Sequence, residues 1–297
     1  MDEAKRTARV ERVSRIATLI ATLVAVAIAW AGSQGGAVVG GIPVFALCVG
    51  LVLLAQWFAF VPAYRQQSER FYDLTGSACF IGSTLLALVL SPEPDARSLL
   101  LGTLVIAWAF RLGGHLVRRI RRVGRDDRFD VIKPLFWRFL LTWTLQGLWV
   151  ALTAGPALAA ITGGRRAVLG PIESVGLVLW LGGFALESLA DRQKVRFRAD
   201  PANAGRFIRD GLWAWSRHPN YFGEIVLWLG VALIAAPALD GPALVTLVSP
   251  LFVTILLLRV SGVPLLERKA DATWGGQPDY VAYKAATPTL IPRPPRH

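Results

Sequence analysis

The stretch LFWRFLLTWTLQGLWVALTAGPAL, Leu135–Leu158, decides the fold class. Its one ionisable side chain, Arg138, stands at its start. As a helix rising 1.5 Å per residue, a run of this length crosses the roughly 30 Å hydrocarbon core of a bilayer. Seven further apolar runs surround it, at Ile16–Val38, Ile42–Val61, Phe71–Leu90, Leu99–Leu116, Ile172–Leu189, Tyr221–Leu239 and Ala243–Val260. Backbone groups in hydrocarbon must be bonded within their own segment, and the short alternating strands of a barrel are absent from the sequence, so helices are expected. The chain therefore reads as all-α, a polytopic integral membrane bundle of seven to eight transmembrane helices.

Charge placement tests that reading independently. Of the 32 Lys and Arg, all but Arg97, Arg165 and Arg166 fall in the two terminal segments or the even-numbered loops, or, as Arg111, Arg138 and Arg259 do, in the span ends that adjoin them. By the positive-inside rule both termini are then cytoplasmic. The N-terminal basic stretch followed by Ile16 to Trp30 and Ala29-Trp30-Ala31 also has the outline of a cleaved signal peptide. An uncleaved first helix is preferred, because the loop charges sort only if it is kept.

Composition agrees: 54% hydrophobic against 18% charged residues is more apolar surface than one soluble core buries. A net charge of +12 would point to nucleic acid in a soluble protein. Here the charge lies between apolar runs, so no nucleic acid is expected; membrane lipids or a phosphorylated cofactor fit instead. Cys48 and Cys79 sit inside apolar runs without metal-ligand spacing, and no metal site is expected.

Two basic segments show helical order. Arg111, His115, Arg118 and Arg122 share one stripe, and Glu187, Asp191, Lys194 and Arg198 repeat the same spacing at the end of the sixth span. Part of the second stripe also suits a salt-bridge ladder on one helix. Ionisable groups at membrane depth are nevertheless usually functional. Farther along comes Ser216-Arg217-His218-Pro219-Asn220-Tyr221-Phe222-Gly223-Glu224. Pro219 and Asn220 suit a helix start with Asn220 as the cap. Glu224, one turn into an apolar span, demands a partner.

The residues Arg217 to Glu224, Asp191-Arg192-Gln193-Lys194 with Arg198, and Ser261 to Glu267 with Tyr280, Tyr283 and Ile291-Pro292 resemble the bacterial membrane branch of the steroid 5α-reductase superfamily. The resemblance covers about residues 40–297 and divides the chain into 1–40, a basic segment with an extra helix, and 41–297, the reductase-like domain. It implies an NADPH cavity open to the cytoplasm of a bacterial inner membrane. Hydride would pass to the conjugated C=C of a hydrophobic substrate, steroid-like or another lipid enone, drawn from the bilayer. Carried over by position, Glu187, Asp191, Arg198, Asn220, Glu224, Glu267, Arg111 and Arg122 contact or support the cofactor. Asp73 falls near the catalytic acid, and Trp108 stands where the family's partner tyrosine would be.

Residue chemistry fits that implication. Phosphates favour planar guanidinium donors, which Arg111, Arg118, Arg122, Arg198 and Arg217 can supply, with Lys194, His218 and Tyr221 beside them. Enone reduction needs an acid near the carbonyl, and Asp73 is the candidate, although it also suits a helix cap beside Arg70. No Rossmann glycine fingerprint is present. S-adenosylmethionine-dependent methyltransferases of the isoprenylcysteine carboxyl type also carry Arg-His-Pro-x-Tyr and a late Glu, and form the alternative. Asn220, Glu224 and the Asp191 to Arg198 stripe favour the reductase. The oligomeric state is not encoded in any motif.

Overall fold

The computed structural model describes residues 3–123 and 129–295, with side chains for all of these except 115–123. Among the described residues eight helical segments are long and apolar enough to cross a membrane, and the chain is a polytopic helical membrane protein. It forms two compact units: Met1–Gly170 with Ile234–Ser249, and Pro171–Leu233 with Pro250–His297.

The first unit holds α1 (Glu3–Gly32), α2 (Val44–Arg65), α3 (Tyr72–Leu90), α4 (Ala96–Val123) and α5 (Phe136–Thr162). The stretch that set the fold class is its centre: 89% of the apolar window of α5 is buried. The second half of α5 is rich in small residues, Ala151, Ala154, Gly155, Ala157, Ala159 and Ala160, which lets neighbouring backbones come close. Helix α1 packs against α5 through its own small face of Ser14, Thr18, Ala21 and Ala25. At the helix start Leu135 provides no side-chain cap; instead Glu11 of α1 accepts a hydrogen bond from the Trp137 amide at 2.9 Å. Trp57 Nε1 donates to Thr144 Oγ1 at 3.0 Å, and Tyr72 donates to the Thr142 carbonyl at 3.1 Å, tying α2 and α3 to α5.

The second unit contains α6 (Pro171–Ala199), α7 (Leu212–Trp215), α8 (Pro219–Ala235), α10 (Val263–Trp274) and α11 (Pro278–Ala286). Helix α6 buries Glu173, Gly176, Trp180, Gly183, Glu187 and Ala190, a stripe at alternating three- and four-residue spacing, and leaves Val175, Val178 and Leu181 exposed to lipid. Antiparallel to it, α8 meets this stripe with glycines. A Cβ on Gly183 would lie 2.5 Å from the Gly223 carbonyl oxygen, and one on Gly230 would lie 2.5 Å from that of Gly176. Two glycine pairs, seven residues apart on each helix, bring the backbones into direct contact.

Three expectations are corrected. The first span ends at Gly32 rather than Val38, because the glycine-rich stretch that follows folds into a hairpin pairing Val38–Val39 with Ile42–Pro43. The eighth is not one α-helix. Residues Gly241–Val248 form a 3-10 segment, Ser249–Ile255 a short α9 and Leu256–Val260 a π-turn, since Pro242 and Pro250 each remove a backbone donor. Finally, Asn220 does not cap the seventh span. Helix α8 begins at Pro219, whose missing N–H costs nothing at a first position, and the Phe222 amide bonds back to the His218 carbonyl at 3.2 Å.

Candidate functional site

The glycine seam sets the register that assembles the site. Glu187, buried, lies beside Gly223, so that a Cβ on that glycine would meet Glu187 Cβ at 3.0 Å. One turn farther along α6, Asp191 Oδ1 accepts from Asn220 Nδ2 at 3.3 Å. Asn220 is therefore turned across to α6, with its amide oxygen buried and without a hydrogen-bond partner among the described residues. Beyond this pair the short helix α7 covers the end of α6. Trp213 Nε1 donates to the Ala190 carbonyl at 3.1 Å, the Leu212 amide donates to Gln193 Oε1 at 3.0 Å, and Lys194 Nζ lies 4.3 Å from the centre of the Trp213 ring. Arg198 follows on the exposed end of α6.

A second cluster adjoins the start of α8. Glu267 Oε1 receives Arg217 Nε at 3.1 Å and faces His218 Nε2 at 2.9 Å, while its other oxygen meets Lys284 at 3.3 Å. Burial pushes His218 below its ordinary value, against the pull of the Glu267 carboxylate, so the ring is neutral near pH 7. A carboxylate opposite Nε2 fixes the proton on that nitrogen. His218 Nδ1 is then an acceptor, buried and unpartnered among the described residues, in a ring stacked on Tyr221 at 5.5 Å between centroids.

Arg217 spends most of its donors on the chain itself. Beyond Glu267 it bonds the Lys284 carbonyl at 2.6 Å, the Thr287 carbonyl at 3.4 Å and Thr289 Oγ1 at 2.7 Å, leaving one of its N–H groups for anything else. Its amide donates to the Pro288 carbonyl, the Ser216 hydroxyl to the Leu290 carbonyl and the Arg293 amide to the Trp215 carbonyl. The segment 287–293 is thus laced to 215–217. Hydrogen bonds to Asp271 and Glu267 raise Lys284, and burial together with Asp271 pushes Tyr280 up to about 12. An open cleft of about 560 Å³ borders Arg217, Asp271, Tyr280 and Lys284.

The expected residues thus fall into groups. In the second unit Glu187, Asp191, Lys194, Asn220 and Tyr221 gather where α6 ends and α8 begins, with Glu224 one turn into α8, and Arg217, His218 and Glu267 form the adjoining network. In the first unit, Asp73 is half-buried in the first turn of α3, where Phe71 occupies the cap position, so the cap reading of Asp73 does not hold. Trp108 is 1% exposed, edge-on to Phe80 at 5.0 Å and Trp149 at 6.1 Å. Arg111 is half-buried on α4; the side chains of Arg118 and Arg122 lie outside the described residues. Sequence reasoning missed Gln193, Trp213, Lys284 and Thr289 as supports. Gln193, inside Asp191-Arg192-Gln193-Lys194, and Trp213, inside Gly211-Leu212-Trp213, offered a signal.

Comparison with known proteins adds three findings. The family model described as "Protein of unknown function (DUF1295)" matches residues 59–287. The chain is similar to an uncharacterized protein of Schizosaccharomyces pombe, 29% identical over 173 residues, covering 49% of this chain and 50% of the relative. It is also similar to a protein of Ustilaginoidea virens named "Probable O-methyltransferase ustE", 26% identical over 126 residues, covering 36% of this chain and 44% of that one. The chain spans about half the length of the curated relatives it matches. No solved structure matches it.

Proposed function

From the premise that this chain belongs to the DUF1295 family, described as of unknown function, we propose that it is a membrane-embedded reductase using NADPH. Its substrate would be an activated C=C bond of a hydrophobic enone entering from the bilayer. The observation that carries this reading is the pair of buried acceptors, His218 Nδ1 and Asn220 Oδ1, beside the basic end of α6. Buried acceptors without donors cost about 1–3 kcal/mol each unless a ligand supplies them. Ribose hydroxyls and a carboxamide N–H are such donors, and Lys194 and Arg198 suit the phosphates of the same molecule.

In this proposal the bound dinucleotide supplies the hydride. Asp191 orients Asn220, Glu267 fixes the tautomer of His218, and Lys194 and Arg198 hold phosphate. Asp73 is the proposed proton donor to the substrate carbonyl, and Trp108, whose indole is no acid, is assigned to the apolar wall. The cofactor face is placed toward the cytoplasm of a bacterial inner membrane with both termini on that side, and residues 41–297 are proposed as the catalytic part. The name of the Ustilaginoidea virens relative supports a second reading, S-adenosylmethionine-dependent methyl transfer. A sulfonium cofactor carries no phosphate, and its single carboxylate calls for less positive charge than the basic stripe provides.

Calorimetric titration of the purified protein with NADPH and with S-adenosylmethionine separates the two. NADPH is expected to bind, and Asn220→Ala to weaken it about tenfold or more, the value of one lost hydrogen bond in a buried site. Binding of the methyl donor alone would overturn the reductase. For Asp73→Asn, turnover is expected to fall by about 10²–10⁴, the usual contribution of a general acid, with NADPH affinity unchanged. Wild-type turnover would remove Asp73 from the mechanism.

A further inference from the structure

Helix α1 lies wholly outside the span of the family match, and its surface is ordered in a way that packing alone does not require. Its buried face runs Ser14, Thr18, Ala21, Ala25 and Ile28. Lys5, Arg9, Arg12, Ile16, Leu19 and Leu23 repeat the same alternating spacing nine residues earlier, which on a helix is half a turn away. All six are exposed, Ile16 at 49%, Leu19 at 58% and Leu23 at 67%. The outward face is thus basic at one end and apolar at the other.

The bond from the Trp137 amide to Glu11 gives that face a depth. It places residue 11 level with the first turn of α5, where the apolar stretch of that helix begins. Arg12 is then at the hydrocarbon boundary, with Arg9 roughly 5 Å and Lys5 roughly 10 Å outward of it. Arg9 thus stands within the headgroup layer, roughly 5–8 Å thick on each side, and Lys5 at its outer edge. Cations at phosphate depth above aliphatic side chains at acyl depth are complementary to one class of molecule, an anionic amphiphile. A second copy of the chain would bring the same basic face and repel it.

We propose that the outward face of α1 is a binding site for an anionic phospholipid. Lys5, Arg9 and Arg12 hold its phosphate, and Ile16, Leu19 and Leu23 lie along its acyl chains. The site rests on α1 alone and stands whether or not the protein is a reductase.

The full chain in mixed micelles of phosphatidylglycerol and phosphatidylcholine, examined by native mass spectrometry, tests this. Selective retention of phosphatidylglycerol is expected. The variant Lys5→Gln/Arg9→Gln/Arg12→Gln should lose that retention about tenfold or more, with each single substitution contributing a step. Arg206→Gln/Arg268→Gln/Lys269→Gln, which removes the same charge from exposed positions elsewhere, should retain the lipid as the wild type does. Equal losses in the two triple variants, or undiminished retention in the first, would overturn the site. Because the substituted side chains face outward, both variants should melt with the wild type.

Discussion

Gly183→Ala is expected to cost about 3 kcal/mol or more, whereas Gly182→Ala, one residue earlier, should be neutral or stabilising by about 0.5–1 kcal/mol. The contrast comes from the seam between α6 and α8. A Cβ at 183 would stand 2.5 Å from the Gly223 oxygen and 2.7 Å from the Leu227 nitrogen, backbone atoms that no rotamer can move aside. At 182 nothing lies within 4 Å, so alanine only restricts the unfolded chain. Thermal unfolding in detergent checks both. Because this seam also holds Asp191 against Asn220, Gly183→Ala should lose the proposed affinity for NADPH along with stability. Equal melting of the two variants would mean that the helices are not in backbone contact.

The second large effect is expected at Arg217. Arg217→Ala removes four hydrogen bonds at once and leaves Glu267, 17% exposed, with His218 and Lys284 as its remaining partners in the network. Breaking a largely buried charge pair of this kind costs about 3 kcal/mol. The segment 287–293, which takes two of its anchors from that guanidinium, should become open to protease well below the temperature at which the rest of the chain unfolds. Arg217→Lys should fall in between, since an ammonium keeps the charge but not the planar fork. Limited proteolysis followed by mass spectrometry reads this directly, and wild-type protection of the tail in Arg217→Ala would refute it.

These two residues also show how far the sequence reaches. Apolar run length alone placed all eight spans, because the bilayer imposes its thickness on every crossing segment. It did not anticipate the 3-10 and π geometry of the eighth, since hydropathy is blind to backbone pattern and Pro242 and Pro250 were the only marks. The site was legible where residues share one helix, as in Asp191, Lys194 and Arg198, or one motif, as in Arg217 to Glu224. What an individual charge does was not. Arg217 reads as a phosphate ligand, and four of its N–H groups are bonded within the chain; Lys133 reads as a topology signal and is bonded to Glu69 at 2.8 Å; Arg138 holds the Val131 carbonyl at 3.1 Å. Such roles depend on carbonyls and carboxylates far away in the chain, which no local spacing records.

The contact between Glu11 and the Trp137 amide bears on how the molecule is made. Its two ends are 126 residues apart, and the helix that supplies the acceptor is synthesised first. At the usual pace of translation, roughly 5–20 residues per second, α1 waits roughly 6–25 s for the segment it caps. Until α5 arrives, α1 is without its main packing partner. The first helix is thus inserted early and docked late, and α5, the most deeply buried span, has its start closed by a side chain already in place.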